Sequence, residues 1–192
     1  MSNDDAAGAM SYIFETGLLK RAKRTGWWIA GVKDPESIAE HSFRTAIIGT
    51  VLAAMEGADP ARVALLCLLH DTQETRITDI PHIARRYLTA ADNETVTADQ
   101  VATCPPAVAQ TISDAVAEYE AGATVAAIVA RDADKLECLV QAVEYRHLGA
   151  STIQPWIDSS RAALKTASAH QLADAALAGQ PLGWLQTFRH DG

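Results

Sequence analysis

The tetrapeptide Gly57-Ala58-Asp59-Pro60, set between two apolar segments of helical periodicity, constrains this chain more than any other feature. Glycine ends a helix, aspartate is a good N-cap, and proline fits the first helical position, so the four residues spell one helix stopping and the next starting. Upstream, Ser37 or Glu36 opens a helix in which Phe43, Ala46, Ile47, Thr50, Val51 and Ala54 recur at the spacing of a buried stripe, widened by Ile48, Leu52 and Met55. Downstream, Ala61 to about Thr72 is apolar nearly all round, with Leu65, Leu66, Cys67, Leu68 and Leu69 in one block, which marks a central helix. The two must run antiparallel. Each carries a histidine far from the turn: His41 lies about 16 residues away and His70 about 11, an axial offset of roughly 7 Å at ~1.5 Å per residue. Neighbouring helix axes sit ~8–10 Å apart, so both imidazoles can reach one ion between them.

The rest of the pattern is also helical. In 192 residues with 48% hydrophobic content there is enough for one sizeable core, strand signals are scarce, and Ala, Leu, Arg and Glu dominate the periodic segments. The expectation is an all-α fold in one domain over residues 11–192, preceded by a disordered N-terminus over residues 1–10. An amphipathic segment should run from Tyr12 to Arg24, with Trp27, Trp28 and Ile29 leading into a loop over Gly31 to Pro35. Thr78 to Pro81 should cap a short helix reaching Tyr87, and Thr89 to Pro106, polar and weakly periodic, should be the longest connection, whose flexibility would bear on substrate entry. Further helices are expected over Ala107 to Glu120, Thr124 to Leu148 and Thr152 to Ala178.

Composition narrows the function. A formal net charge of −8, with no basic cluster beyond Lys20-Arg21 and Lys23-Arg24, argues against duplex nucleic acid as a partner. That short run reads as a phosphate contact or as a solvated helix end. Three cysteines without C-x-x-C spacing fit a reducing compartment, and the acidic start lacks the charged and apolar regions of a secretory leader. No run approaches a membrane span, so a cytoplasmic protein is expected.

His70-Asp71 closes the apolar block, an odd place for two polar side chains. A carboxylate buried there without partners would cost several kcal/mol, so a cation is expected beside it, the alternative being an ordinary buried ion pair. A further carboxylate could come from Asp132 or Asp134, about 200° apart on a helix, only one of which can point inward. Periodicity prefers Asp132, which lies in the stripe of Val125, Val129, Leu136, Leu139, Val140 and Val143; Asp134 shares a narrower face with Ala127, Ala130, Cys138 and Tyr145. Mixed imidazole and carboxylate donors suit Mn, Fe, Co, Ni or Zn and leave coordination positions open for water and substrate.

Five pieces in order carry a resemblance: Leu19-Lys20-Arg21 through Arg24-Thr25-Gly26-Trp27, Glu36 to Ser42, Leu69-His70-Asp71-Thr72-Gln73-Glu74, Thr78 to Pro81, and Asp132 to Glu137. Together they resemble the HD-domain metal-dependent phosphohydrolases, in particular bacterial YfbR-type 5'-deoxynucleotidases and their eukaryotic HD-domain-containing relatives. The resemblance implies an all-helical bundle, a homodimer, one divalent ion on His41, His70, Asp71 and Asp134, and removal of the 5'-phosphate from deoxyribonucleoside 5'-monophosphates by a metal-activated water. It selects Asp134 over the residue periodicity favours. It also implies Glu74 as the carboxylate that handles the water, Arg24 as the phosphate contact, and Asp79 as a second catalytic carboxylate that meets the sugar hydroxyl. Trp27 would bind substrate, although Thr25-Gly26 separate it from Arg24, unlike the bacterial pattern, and the alternative for Trp27 and Trp28 is a place in the core or in a dimer contact. Competing readings are another HD substrate, such as a deoxynucleoside triphosphate, cyclic nucleotide or alarmone, and a non-catalytic metal- or nucleotide-binding protein. Only His82 lies between Asp71 and the late aspartates, which undersupplies a di-iron oxygenase site.

Overall fold

The computed structural model describes residues 3–188, and among them are ten α-helices and no strand. They are α1 (Asn3–Thr16), α2 (Gly26–Ile29), α3 (Ile38–Glu56), α4 (Pro60–Leu69), α5 (Glu74–Ile77), α6 (Asn93–Val101), α7 (Pro106–Ala121), α8 (Val125–His147), α9 (Gln154–Ala163) and α10 (Ala167–Ala178). An isolated antiparallel bridge pairs Lys23 with Ser37. No helix among the described residues is long and apolar enough to cross a membrane.

The α3–α4 hairpin forms as its turn dictates. Ser37 and Glu40 close a capping box at the start of α3, Gly57 ends it in the left-handed region at φ 70°, and the Asp59 side chain accepts from the Ala61 amide. The two helices approach closely at Gly49, where an added Cβ would lie 2.7 Å from Cys67 Sγ and 2.9 Å from Val63 Cγ1. α8 runs through the middle of the bundle and packs against α3, α4, α7, α9 and α10. Val129, Ala130, Ala133, Leu136 and Leu139 are all buried there.

Four expectations change. The buried face of α3 is Ile38, His41, Ser42, Thr45, Ala46, Gly49, Leu52 and Ala53, while Phe43, Ile47 and Val51 are 65%, 52% and 46% exposed. Small and polar residues occupy the inner face because α4 and α8 come close on that side, and the bulky residues are left outside. Second, Asn3–Thr16 is a helix where an irregular start was expected; Met1 and Ser2 lie outside the described residues. Tyr12 packs with Val101 and Ile112, and Glu15 binds Arg76, Thr75 and Gln100.

Third, α6 interrupts the segment over 89–106. Asp92 caps it by accepting from the Thr95 amide, and its buried face is partly polar: Gln73 donates to Thr97, and Gln100 donates to the Thr72 carbonyl. A helix that buries hydrogen-bonding polar side chains leaves a weak apolar pattern. Fourth, the helix expected over Thr152 to Ala178 is two. The chain turns extended at Leu164, and Asp132 accepts from the amides of Lys165 and Thr166 and from the Thr166 hydroxyl.

Candidate metal and phosphate site

α3 supplies His41 to the site, and α8 supplies Asp134. α4 ends at Leu69, and a tight turn with Thr72 N–H donating to Leu69 C=O lets the consecutive His70 and Asp71 face one point. His41 Nε2 lies 3.3 Å from His70 Nε2, 3.6 Å from Asp71 Oδ2 and 3.3 Å from Asp134 Oδ1. His70 Nε2 is 3.1 Å from Asp71 Oδ2 and 3.9 Å from Asp134 Oδ1. The four side chains therefore converge, and His41, His70 and Asp71 by themselves form a group able to hold an ion.

The far side of each imidazole shows why a cation fits. His41 Nδ1 meets Glu137 Oε2 at 2.5 Å, and His70 Nδ1 meets the Cys67 carbonyl at 2.7 Å. Each Nδ1 proton is thereby committed to an oxygen, which leaves both Nε2 lone pairs facing one another and two carboxylates. Burial and Arg24 disfavour a charged His41, but Glu137 and Asp134 outweigh them and raise it to about 10. The surrounding carboxylates thus favour positive charge at this point, and four donor groups converge there for a divalent ion. Burial would raise Asp71, yet His70, His41 and Arg24 pull it down to about 2, and Asp134 is likewise held well below its usual range by His41 and Lys135.

Asp132 does not join this group, for its carboxylate is used at the α9–α10 break. Glu137 was missed by sequence reasoning. It is fully buried, orients His41, and receives Arg44 Nε and Nη2 on its other oxygen. An acidic residue beside Leu136 on the buried stripe of α8 was the available signal. Glu36 also approaches His41 and Glu137, but the 2.5 Å contact on that side is a hydrogen bond, too short to admit an ion between.

A cavity of about 400 Å³ opens from the cluster and is lined in part by Arg24, Glu74, Asp79, Tyr119 and Lys135. This suits a small organic ligand. Arg24 Nη1 lies 3.5 Å from Asp71 Oδ2, and Lys135 Nζ is 2.8 Å from Asp134 Oδ2, so two cations border the donor cluster. Glu74 Oε2 is buried without a hydrogen-bond partner. Burial, with Asp71 and Asp79 nearby, raises this carboxyl to about 9. Thr78 is held at φ 62°, and the chain returns so that Asp79 Oδ2 accepts from the Thr25 amide at 2.6 Å. Trp27 is 1% exposed, with its indole N–H donated to Glu36 and its ring against Tyr145 and Trp156, so most of it is core and only an edge reaches the cavity. Helix α9, to which the sequence assigned no chemistry, closes the same cavity with Trp156, Ser159 and Ser160.

A family profile described as HD domain matches residues 16–174. The chain belongs to the HD-domain family. Within that family, 5'-deoxynucleotidase HDDC2 of Dictyostelium discoideum is 32% identical over 139 residues, covering 67% of this chain and 73% of that protein. Human HDDC2, also a 5'-deoxynucleotidase, is 27% identical over 151 residues, 77% of this chain and 72% of its own. The HD fold of this chain matches a conserved hypothetical protein from Pyrococcus furiosus with a TM-score of 0.70 at 29% identity, over 88% of this chain and 96% of the other. It also matches a predicted metal-dependent phosphohydrolase from Magnetospirillum magnetotacticum with a TM-score of 0.69 at 25% identity, over 91% of each chain.

Proposed function

We propose that this HD-domain protein is a metal-dependent phosphohydrolase that removes the 5'-phosphate of deoxyribonucleoside 5'-monophosphates. The convergence of His41, His70, Asp71 and Asp134, with both Nδ1 atoms committed elsewhere, is the observation that carries it. These four would hold one divalent ion from the set Mn, Co, Fe, Ni and Zn. Such an ion lowers the pKa of bound water and offsets charge on a phosphoryl group.

The chain's own groups do the rest. Arg24 grips non-bridging phosphoryl oxygens with its planar fork, and Lys135 adds positive charge beside Asp134. Glu74 orients the attacking water and takes its proton, for which a buried, unpartnered carboxylate oxygen at the cavity wall is suited. The acid must first be ionised, and a divalent charge near Asp71 favours that form. Asp79, anchored through one carboxylate oxygen by Thr25, offers its carboxylate to a sugar hydroxyl, and the edge of Trp27 contributes to the wall. The same reading makes the protein a cytoplasmic homodimer, in keeping with three unpaired cysteines and an apolar outer face on α3.

Phosphate release from deoxyribo- and ribonucleoside 5'-monophosphates, triphosphates and cyclic nucleotides, with Mn or Co added, tests this. Release from the deoxyribonucleoside monophosphates is expected, and Glu74→Gln should lower it by about 100-fold or more with bound metal retained. Hydrolysis of triphosphates or cyclic nucleotides alone would transfer the assignment to another HD substrate. Unchanged turnover in Glu74→Gln would remove that residue from its role.

A further inference from the structure

Tyr119, in the last turn of α7, has no assigned part in the reaction sketched above, yet it is built into the site. Its ring centroid lies 5.1 Å from that of His70, tilted by 48°. On the ring Arg131 places its guanidinium carbon 5.3 Å from the centroid, while donating from Nε to the Tyr119 carbonyl and from Nη2 to the Glu120 carbonyl. The phenol is thus clamped between a donor imidazole and a guanidinium that also caps its own helix. The residue is 8% exposed, and its wall position in the cavity is next to Asp134 and Lys135.

Within this clamp the hydroxyl makes no hydrogen bond to the described residues, and unlike the Tyr12 hydroxyl it is not among the fully buried polar atoms that lack a partner. A buried phenol usually finds a partner for its O–H. Tyr119 lines the cavity, which is where a partner can arrive. A neutral phenol has one O–H, and at the cavity wall that proton is available to what enters. An anionic oxygen bound beside the donor cluster is the natural acceptor, and the clamped ring has little rotational freedom left to lose in meeting it.

We propose that the Tyr119 hydroxyl donates a hydrogen bond to a non-bridging oxygen of the substrate's phosphoryl group, complementing Arg24, which approaches at Asp71. This rests on the phosphohydrolase reading. Such a donor is worth more as charge builds on the phosphoryl oxygens, so it contributes to turnover beyond binding.

The test compares wild-type and Tyr119→Phe protein loaded with Mn. Phenylalanine keeps the ring contacts to His70 and Arg131, so bound metal and melting temperature should be retained. Affinity for inorganic phosphate, measured by calorimetric titration, should weaken by about tenfold. The kcat/KM for a deoxyribonucleoside monophosphate should fall by about a hundredfold, with kcat carrying most of the loss. Unchanged phosphate affinity and kcat/KM would overturn the proposal. Loss of metal or a lowered melting temperature, with phosphate affinity restored at saturating Mn, would also overturn it and leave Tyr119 as a prop for His70. If the wild-type protein neither binds phosphate nor releases it from any nucleotide, the phosphohydrolase reading itself fails, which is a separate result.

Discussion

Glu137 holds His41 Nδ1 with one carboxylate oxygen and Arg44 with the other, so the imidazole is fixed in rotation and its Nε2 faces the donor cluster. A carboxylate behind a ligating histidine fixes the tautomer and raises the basicity of the donor nitrogen, and loss of such a partner typically costs 10- to 100-fold in metal affinity. Glu137→Gln should therefore weaken Mn or Co binding by about that factor, read by equilibrium titration against a chelator. The two aspartates of α8 separate on the same kind of reasoning. Asp132 has its carboxylate spent on the Lys165 and Thr166 amides and the Thr166 hydroxyl, whereas Asp134 Oδ1 points at His41 Nε2. Asp132→Asn should keep the metal and lose about 1–3 kcal/mol of stability in urea denaturation, while Asp134→Asn should lose the metal. Loss of metal only in the Asp132 variant would reverse the pair. Periodicity alone points to Asp132 because it reports burial, and both residues are buried; what distinguishes them is a partner more than 30 residues ahead in the chain. The role of Glu137 was obscured for a similar reason, since its burial beside Leu136 could be read but its partners lie on α3.

At the scale of elements, the features coded by neighbouring residues were readable. Capping at Ser37 and Asp59 and the stop at Gly57 fix α3 and α4, hence the meeting of His41 and His70. Features set by tertiary satisfaction were not: α6 buries Thr97 and Gln100, and the α9–α10 break depends on Asp132. The helical state of α1 belongs with these. Its Glu15 carboxylate accepts from Arg76 Nε and Nη2, Thr75 Oγ1 and Gln100 Nε2, which ties α1 to α5 and α6. Arg76 lowers this carboxyl to about 2 against the opposing effect of burial, with Gln100 and Thr75 assisting. A group whose folded value lies below its unfolded one stabilises the fold above the unfolded value and ceases to do so as it is protonated in the folded state. The stabilisation is then present above about pH 4.5 and declines toward pH 2. Melting temperature should fall over that window more steeply in the wild type than in Glu15→Gln, and parallel curves would show the network to be inconsequential.

For the whole molecule, the outer face of α3 is an apolar stripe that the described residues leave uncovered. Phe43, Ile47, Val51 and Met55 recur every fourth residue and are 45% exposed or more, on the helix whose inner face carries His41. Burying them in this chain would need another helix on that side, and the buried face of α3 already packs against α4 and α8. A two-fold interface uses the same patch on both partners, so an apolar stripe can cover itself. Charge opposes indiscriminate association, because a chain with net charge −8 repels its copies wherever apolar contact does not compensate. Self-association should therefore be specific to this stripe. It would also stiffen α3 from outside and hold His41 against motion along the helix axis. Sedimentation equilibrium should give a dimer for the wild type and a monomer for the Phe43→Glu, Val51→Glu double variant, with helical content unchanged. A charge placed at the centre of an interface core leaves an unpaired buried carboxylate, a penalty of several kcal/mol and enough to dissociate a micromolar dimer. A wild-type monomer at high micromolar concentration would dispose of the homodimer and leave the α3 stripe as solvent-facing surface.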